Sequence, residues 1–332
     1  MKSLQTAGGP FFEDLEIGMR ADDAPSVTLT SGLAAQHQTI VGDRMRLALD
    51  RELAEAVTGG PIAHPALAWD VVIGQSTLFT RRVIANLFYR GLAFRRFPNI
   101  GDTLHTTTEV VGLKQNRGRP GRPATGLGVL RIRSVDQAGR EVLDFRRCAM
   151  FPLRDPLGKT PHQAELDSVS SDLDSGALKT PISGWRLAEF KRRAPGLHFD
   201  DLTEGTVWEI AGGDVVSSAP ELARLTLNLA MVHHDAAASP AGRLVYGGHT
   251  IGIAAAQAAR ALFNLVAIIG WHGCDHLGPV REGDTLRSTL ELEKREPFAE
   301  GGGFVHLRSR VKAERGGESH DVLDWRFVGA MA

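Results

Sequence analysis

The stretch Gly101-Asp102-Thr103-Leu104 returns 182 residues later as Gly283-Asp284-Thr285-Leu286, and that return decides how the chain is read. Taken alone, a four-residue match means little. Three further pairs keep the same order at nearly the same spacing. Phe12-Glu13-Asp14-Leu15-Glu16-Ile17-Gly18 matches Phe199-Asp200-Asp201-Leu202-Thr203-Glu204-Gly205 at an offset of 187. Gly60-Pro61-Ile62-Ala63-His64 matches Gly242-Arg243-Leu244-Val245-Tyr246 at 182, and Val142-Leu143-Asp144-Phe145-Arg146 matches Val322-Leu323-Asp324-Trp325-Arg326 at 180. Four matches in register read as one unit written twice. The length of 332 residues, about twice a typical domain, fits two such units.

Working outward, Leu153 to about Trp185 is rich in Pro, Ser, Asp and Gly without sustained periodicity, and it reads as a crossing linker. The expected organisation is residues 1–152, a linker over 153–185, and residues 186–332. The later half of each copy is strand-like. Thr103 to Gly112, Leu127 to Asp136 and Glu141 to Phe151 in the first copy correspond to Thr285 to Glu293, Phe304 to Ala313 and Asp321 to Gly329 in the second. Turn signals between them imply antiparallel meanders. Ahead of the second meander, Ile251, Ala254, Ala255, Ala258, Leu262 and Leu265 recur at helical spacing, so a helix is expected over Thr250 to Val266, with Pro65 to Ile73 as its counterpart. The fold class is therefore α+β, two tandem repeats in which a bent antiparallel sheet wraps a central helix.

Composition removes several functions. Lys+Arg 38 against Asp+Glu 39 leaves a net charge of −1, which gives no electrostatic case for a nucleic-acid or membrane partner. Met1 to Thr6 lacks the apolar region of an export signal, and the most apolar stretch, Ala261 to Gly270, is interrupted by Asn264 and too short to span a bilayer. A cytoplasmic protein is expected. The two cysteines, Cys148 and Cys274, are far apart and read as buried thiols. No Gly-x-Gly-x-x-Gly, P-loop or Gly-x-Ser-x-Gly setting occurs, and the runs Gly301-Gly302-Gly303 and Gly118 to Pro123 read as hairpin loops.

Chemistry concentrates in Asn228-Leu229-Ala230-Met231-Val232-His233-His234-Asp235 and in Tyr246-Gly247-Gly248-His249 at a helix start. An imidazole beside a polar amide can move protons near neutral pH, and glycines at a helix N-terminus can offer backbone N–H groups to an oxyanion. The plainer alternative is that the histidines sit on a surface loop and the glycines make a turn. At these positions the first copy carries Asp43 opposite Asn228 and Ala48 opposite His233, so one active site per chain, in the second copy, is expected. Trp271-His272-Gly273-Cys274-Asp275-His276 contains metal-ligand types packed too tightly for one ion, so no metal is expected. It reads as a strand edge with His272 or His276 toward the pocket.

The stretch from Arg224-Leu225-Thr226-Leu227-Asn228 to His233-His234-Asp235, together with Tyr246-Gly247-Gly248-His249, resembles the active-site segment of MaoC-type (R)-specific enoyl-CoA hydratases and dehydratases, which have the hotdog fold. Over nearly its whole length the chain resembles, more narrowly, the double-hotdog mesaconyl-CoA hydratases, also called β-methylmalyl-CoA dehydratases. The resemblance implies reversible syn addition of water to an enoyl-thioester, without a metal or redox cofactor, with an acyl-CoA as substrate and a homo-oligomeric assembly. It implies His233, Asn228, Gly247 and Gly248 as catalytic, Tyr246, His249 and Asp235 as substrate-binding, and Asp43 and His272 as further candidates. The family's Asp, five residues before the His, is Asn228 here; an amide cannot act as a base, so His233 alone is expected to move the proton while Asn228 orients water. Three other readings stay open: a hydratase or dehydratase for plain 3-hydroxyacyl thioesters, a thioesterase, and a silent acyl-CoA-binding protein. Arg81-Arg82, Arg95-Arg96 and Arg281 could bind CoA phosphates or a distal carboxylate, or be solvated surface charge.

Overall fold

The computed structural model describes residues 7–118, 123–166, 169 and 173–332. The expectations placed on Met1 to Thr6 and on the core of the Gly118 to Pro123 run lie outside the described residues. Eight long strands carry the architecture: β1 (Ala85–Phe94), β2 (Thr103–Asn116), β3 (Thr125–Val135) and β4 (Glu141–Pro152), then β5 (Leu265–His276), β6 (Thr285–Pro297), β7 (Gly303–Arg315) and β8 (Glu318–Met331). They form one antiparallel sheet in the order β2-β3-β4-β1-β5-β8-β7-β6, with Arg20–Ala21 added at β2 and Val207–Glu209 at β6. The order is a palindrome about the β1–β5 pair, where Phe88 stands opposite Asp275 and Leu92 opposite Trp271. Two copies of one sheet have thus been joined along an edge, leaving no free strand between them.

Each half wraps one helix. In the first, α1 (Pro65–Gln75) has every residue buried, which its apolar sequence permits on all sides. In the second, α2 (Gly247–Ala261) is built from Gly and Ala and is buried from Gly248 to Ala259. Gln75 and Gln257, 182 residues apart, make the same bond: each Nε2 donates to a β-strand carbonyl, Leu104 at 3.0 Å and Leu286 at 2.9 Å. The repeat signature has a matching local cause. Asp102 accepts from the N–H of Asn99 at 2.8 Å, and Asp284 accepts from that of Arg281 at 2.7 Å, each closing the turn into the next strand.

Across the junction Trp69, Trp271 and Trp325 pack edge to face, with centroids 4.8 to 6.2 Å apart. Both cysteines are free and buried. Two expectations need correction. The helix ends at Ala261, and Leu265 and Val266 begin β5: a buried apolar run looks alike in helix and strand, and periodicity cannot separate them. The segment 271–276 is also not an edge, because β5 pairs on both sides at the centre of the sheet. Among the described residues no helix is long and apolar enough to cross a membrane.

Candidate active site

Two close approaches shape the ground on which the site stands. Gly74 of α1 lies so near the segment 226–228 that a Cβ there would sit 1.7 Å from the Thr226 carbonyl oxygen. The next residue, Leu227, takes a left-handed conformation with φ 59°, and this turns the chain so that Asn228 faces inward. Asn228 is buried, and its Oδ1 accepts from the N–H of Ala230 at 2.9 Å. With the carbonyl oxygen committed, the side chain's remaining group is an NH₂ that can only donate.

Five residues on, His233 is 9% exposed, and its Nδ1 lies 2.9 Å from the carbonyl oxygen of Leu244. A carbonyl only accepts, so the proton is on Nδ1 and Nε2 carries the lone pair. Burial pulls the His233 pKa from 6.5 down to about 4; the Leu244 carbonyl opposes this and the nearby His234 and Arg147 add to it. The ring is neutral at pH 7, a base rather than an acid.

A cavity of about 380 Å³ opens in front of this pair. The second half contributes Asn228, His233, Tyr246, Gly247 and His276; the first half supplies a wall from Thr77, Thr80, Val83 to Leu87, Tyr89 and Arg147. No Asp or Glu lines it among the described residues. Gly247 begins α2, and no acceptor among the described residues is bonded to its N–H or to that of Gly248, so the helix start keeps donors to offer an anion. A Cβ at 247 would lie 2.7 Å from His276 Nε2, so any side chain there would displace the His276 ring. Gly248 does not line the cavity; a Cβ there would lie 2.1 Å from Asp70 Oδ1 and 2.5 Å from the Tyr246 ring. Tyr246 is fixed from the first half, its hydroxyl 3.3 Å from Asp70 Oδ1, and Asp70 Oδ2 is 3.0 Å from His37 Nε2.

Besides Gly248, four candidate residues fall elsewhere. Asp235 is exposed and caps the turn Ala236–Ala238 by accepting from the N–H of Ala237, so its nearness to His233 along the chain does not bring it to the cavity. His249 is fully buried inside α2, two residues past the helix start, and faces the core. His272 Nε2 lies 3.2 Å from His306 Nδ1, with the rings stacked, and does not line the cavity. Asp43 is in a second cavity with His37 and His64. Burial pushes the Asp43 pKa up, but His64 and the Met45 N–H outweigh it and hold the carboxyl below its usual range. His64 Nε2 approaches Asp43 Oδ2 at 2.8 Å, out of line for a hydrogen bond, while its Nδ1 accepts from the N–H of Ala66 at 3.0 Å. In this half the helix start is therefore used up: Pro65 has no N–H and the Ala66 N–H is taken.

Of the arginines, Arg96 pairs with Asp102 and Asp136, Arg95 reaches Glu141, and Arg81 and Arg82 hold the carbonyls of Ala7 and Gly9. Only Arg281 of that group lines the cavity, half-buried. Arg147 was not among the sequence candidates, and His276 entered only as a pocket-facing option; both come from strands whose facing is set by distant pairing. Desolvation lowers the pKa values of His233, His249 and the half-buried His276 to about 4. The unfolded chain takes up these protons near 6.5 and the folded one resists them, so stability is full above pH 6.5 and falls as pH drops toward 4. Thermal melts between pH 7.5 and 5 are expected to show a steadily falling Tm; a flat Tm would contradict the buried, neutral rings.

No family model matches the chain. A solved structure from Mycobacterium tuberculosis, described as a conserved hypothetical protein essential for bacterial survival during infection and having a double hotdog fold, is 51% identical, with TM-score 0.92 over 99% of this chain and 100% of that one. The crystal structure of a putative MaoC domain protein dehydratase from Chloroflexus aurantiacus is 25% identical, with TM-score 0.84 over 99% of each chain. A mesaconyl-CoA hydratase from Cereibacter sphaeroides is 29% identical over 314 residues, 92% of this chain and 90% of the relative.

Proposed function

We propose, from the premise that this chain belongs to the MaoC-like double-hotdog hydratase family, that it is a hydro-lyase adding water reversibly across the double bond of an enoyl-CoA thioester, mesaconyl-CoA being the leading substrate. The observation that carries the reading is the tautomer of His233: Nδ1 is tied to Leu244, and the basic Nε2 is left for the cavity. In the hydration direction Nε2 takes a proton from water and the oxygen bonds to the β-carbon. Charge moves onto the thioester oxygen, which the Gly247 N–H at the start of α2 stabilises. His233 then returns its proton to the α-carbon, so the enzyme ends as it began. The Asn228 NH₂ donates to the water oxygen and holds it beside the β-carbon. No cofactor enters these steps.

Thioester hydrolysis on this fold would draw on a carboxylate, and the cavity lining contains none among the described residues. The readings separate in one assay with mesaconyl-CoA and crotonyl-CoA. Hydration removes the conjugated enoyl absorbance and leaves the thiol bound; hydrolysis releases thiol; a binding protein does neither. Thiol release without loss of a conjugated acyl group would overturn the proposal.

The low His233 pKa sets the pH dependence. The neutral base is required, so kcat/KM is expected to hold from pH 8 to about 5 and to fall only toward the value of about 4. A fall centred near 6.5 would mean a solvated imidazole. The role of Asn228 is equally testable. Asn228→Asp can keep the Ala230 bond but loses the donor, an interaction of about 1–1.5 kcal/mol, so kcat is expected to drop about tenfold. A faster variant would restore an acid/base pair shared between positions 228 and 233.

A further inference from the structure

Arg147 brings a permanent positive charge into the cavity, and no carboxylate of the described residues neutralises it. It projects from β4 and is 3% exposed. Its Nη2 donates to the Ser76 carbonyl at 3.1 Å and to Thr80 Oγ1 at 2.9 Å, both neutral acceptors, while Nε has no partner. Three other arginines of the sheet behave otherwise: Arg90 is paired with Asp275, Arg131 with Asp144 and Arg308 with Asp324. A guanidinium cannot shed its charge to escape burial, so an unpaired one is held at a large energetic cost.

The internal repeat shows that the fold does not demand it. Arg146 corresponds to Arg326, so the next position pairs Arg147 with Phe327, a buried ring stacked on Trp325. The same place in the same sheet is filled by an apolar side chain in one half and by a bare cation in the other. The cation stands in the half whose wall faces the His233 cavity, near enough that its charge lowers the basicity of His233.

We propose that Arg147 is the receptor for a carboxylate on the acyl chain, making it the residue that selects a carboxylated enoyl thioester over a plain one. The planar guanidinium matches a carboxylate in shape and charge, and the substrate supplies the counter-ion the chain withholds. The inference rests on the reading above for the placement of the thioester at Gly247. Arg281, half-buried on the cavity lining and bonded to the Gly242 carbonyl, is left to other anionic parts of the ligand.

Saturated acyl-CoAs test this without requiring catalysis. Wild-type protein titrated with succinyl-CoA and with butyryl-CoA is expected to prefer the first by at least about thirtyfold; Arg147→Met loses that preference and Arg147→Lys keeps part of it. In hydration assays Arg147→Met is expected to lower kcat/KM for mesaconyl-CoA at least about thirtyfold more than it lowers kcat/KM for crotonyl-CoA. Because position 327 accepts an apolar side chain, ligand-free Arg147→Met is expected to melt no lower than wild type. Equal binding of the two acyl-CoAs by wild type, or equal losses on both substrates in the variant, would overturn the proposal in favour of a structural or CoA-phosphate role. If neither substrate is hydrated by wild type, the hydratase reading fails while the succinyl against butyryl comparison still decides Arg147.

Discussion

His233→Ala lowers kcat/KM for enoyl-CoA hydration by about 10²–10⁴, with little change in melting temperature. The side chain makes one protein hydrogen bond, to the Leu244 carbonyl, so its loss costs the fold about 1 kcal/mol. Its loss to the reaction is far larger, because His233 is the cavity imidazole whose tautomer is fixed by the Leu244 carbonyl, with Nε2 left as the base. Among the described residues the cavity lining has no carboxylate, and the Asn228 side chain has its oxygen committed to Ala230. His276 also lines the cavity, with its Nε2 lying against Gly247. Steady-state kinetics on folded variant, checked by circular dichroism, reads the effect. A loss below threefold would remove His233 from the mechanism.

Gly74→Ala is expected to damage both stability and activity. Its Cβ would lie 1.7 Å from the Thr226 carbonyl oxygen and 2.6 Å from the carbonyl carbon, and backbone has no rotamer with which to yield. Either α1 or the segment 226–228 must move. Overpacking of this kind costs typically 1–3 kcal/mol and more where both neighbours are backbone, so Tm should fall by at least about 5 °C. Displacement of Thr226 also carries Leu227 and Asn228 out of position, so hydration slows in parallel. Gly60→Ala is the control: its Cβ would be 3.7 Å from the nearest atom, an ordinary contact, and Tm should change by less than about 2 °C. Equal behaviour of the two variants would mean that the approach of α1 to Thr226 does not hold the site.

These two residues also show what could be read from the chain and what could not. The repeat was legible because its signature residues act locally: Asp102 and Asp284 bond to backbone three residues away, so their function is written in contiguous sequence. His233, Asn228 and Gly247 were legible for the same reason, lying on one short segment and one helix start. Nothing local marks the wall from Thr77 to Tyr89 or Arg147, which reach the cavity through strand pairing over long separations. One signal for Arg147 was present, in the mismatch with Phe327 between aligned copies. Proximity in sequence misled at Asp235, which follows His233 by two residues and caps a surface turn. At His249 the helix carried the ring into the core within one turn.

The contrast between the halves follows from the same comparison. His64 stands where the second half has Tyr246, and its ring takes the Ala66 N–H that would serve an oxyanion, while Pro65 removes another. Ala48 stands where the second half has His233, so this half has neither a free helix start nor the equivalent base. The first half still closes the cavity, through β1, Arg147 and the Asp70 contact to Tyr246.

Hydration in heavy-oxygen water, followed by mass measurement of the intact acyl-CoA, tests most directly that the chemistry belongs to the second half. Wild type and His64→Asn, which keeps an acceptor for the Ala66 N–H, are expected to place one heavy oxygen on the acyl chain with the thioester unbroken. His233→Ala should place almost none. Label in a free carboxylate with CoA released, or label lost in His64→Asn and kept in His233→Ala, would contradict the account.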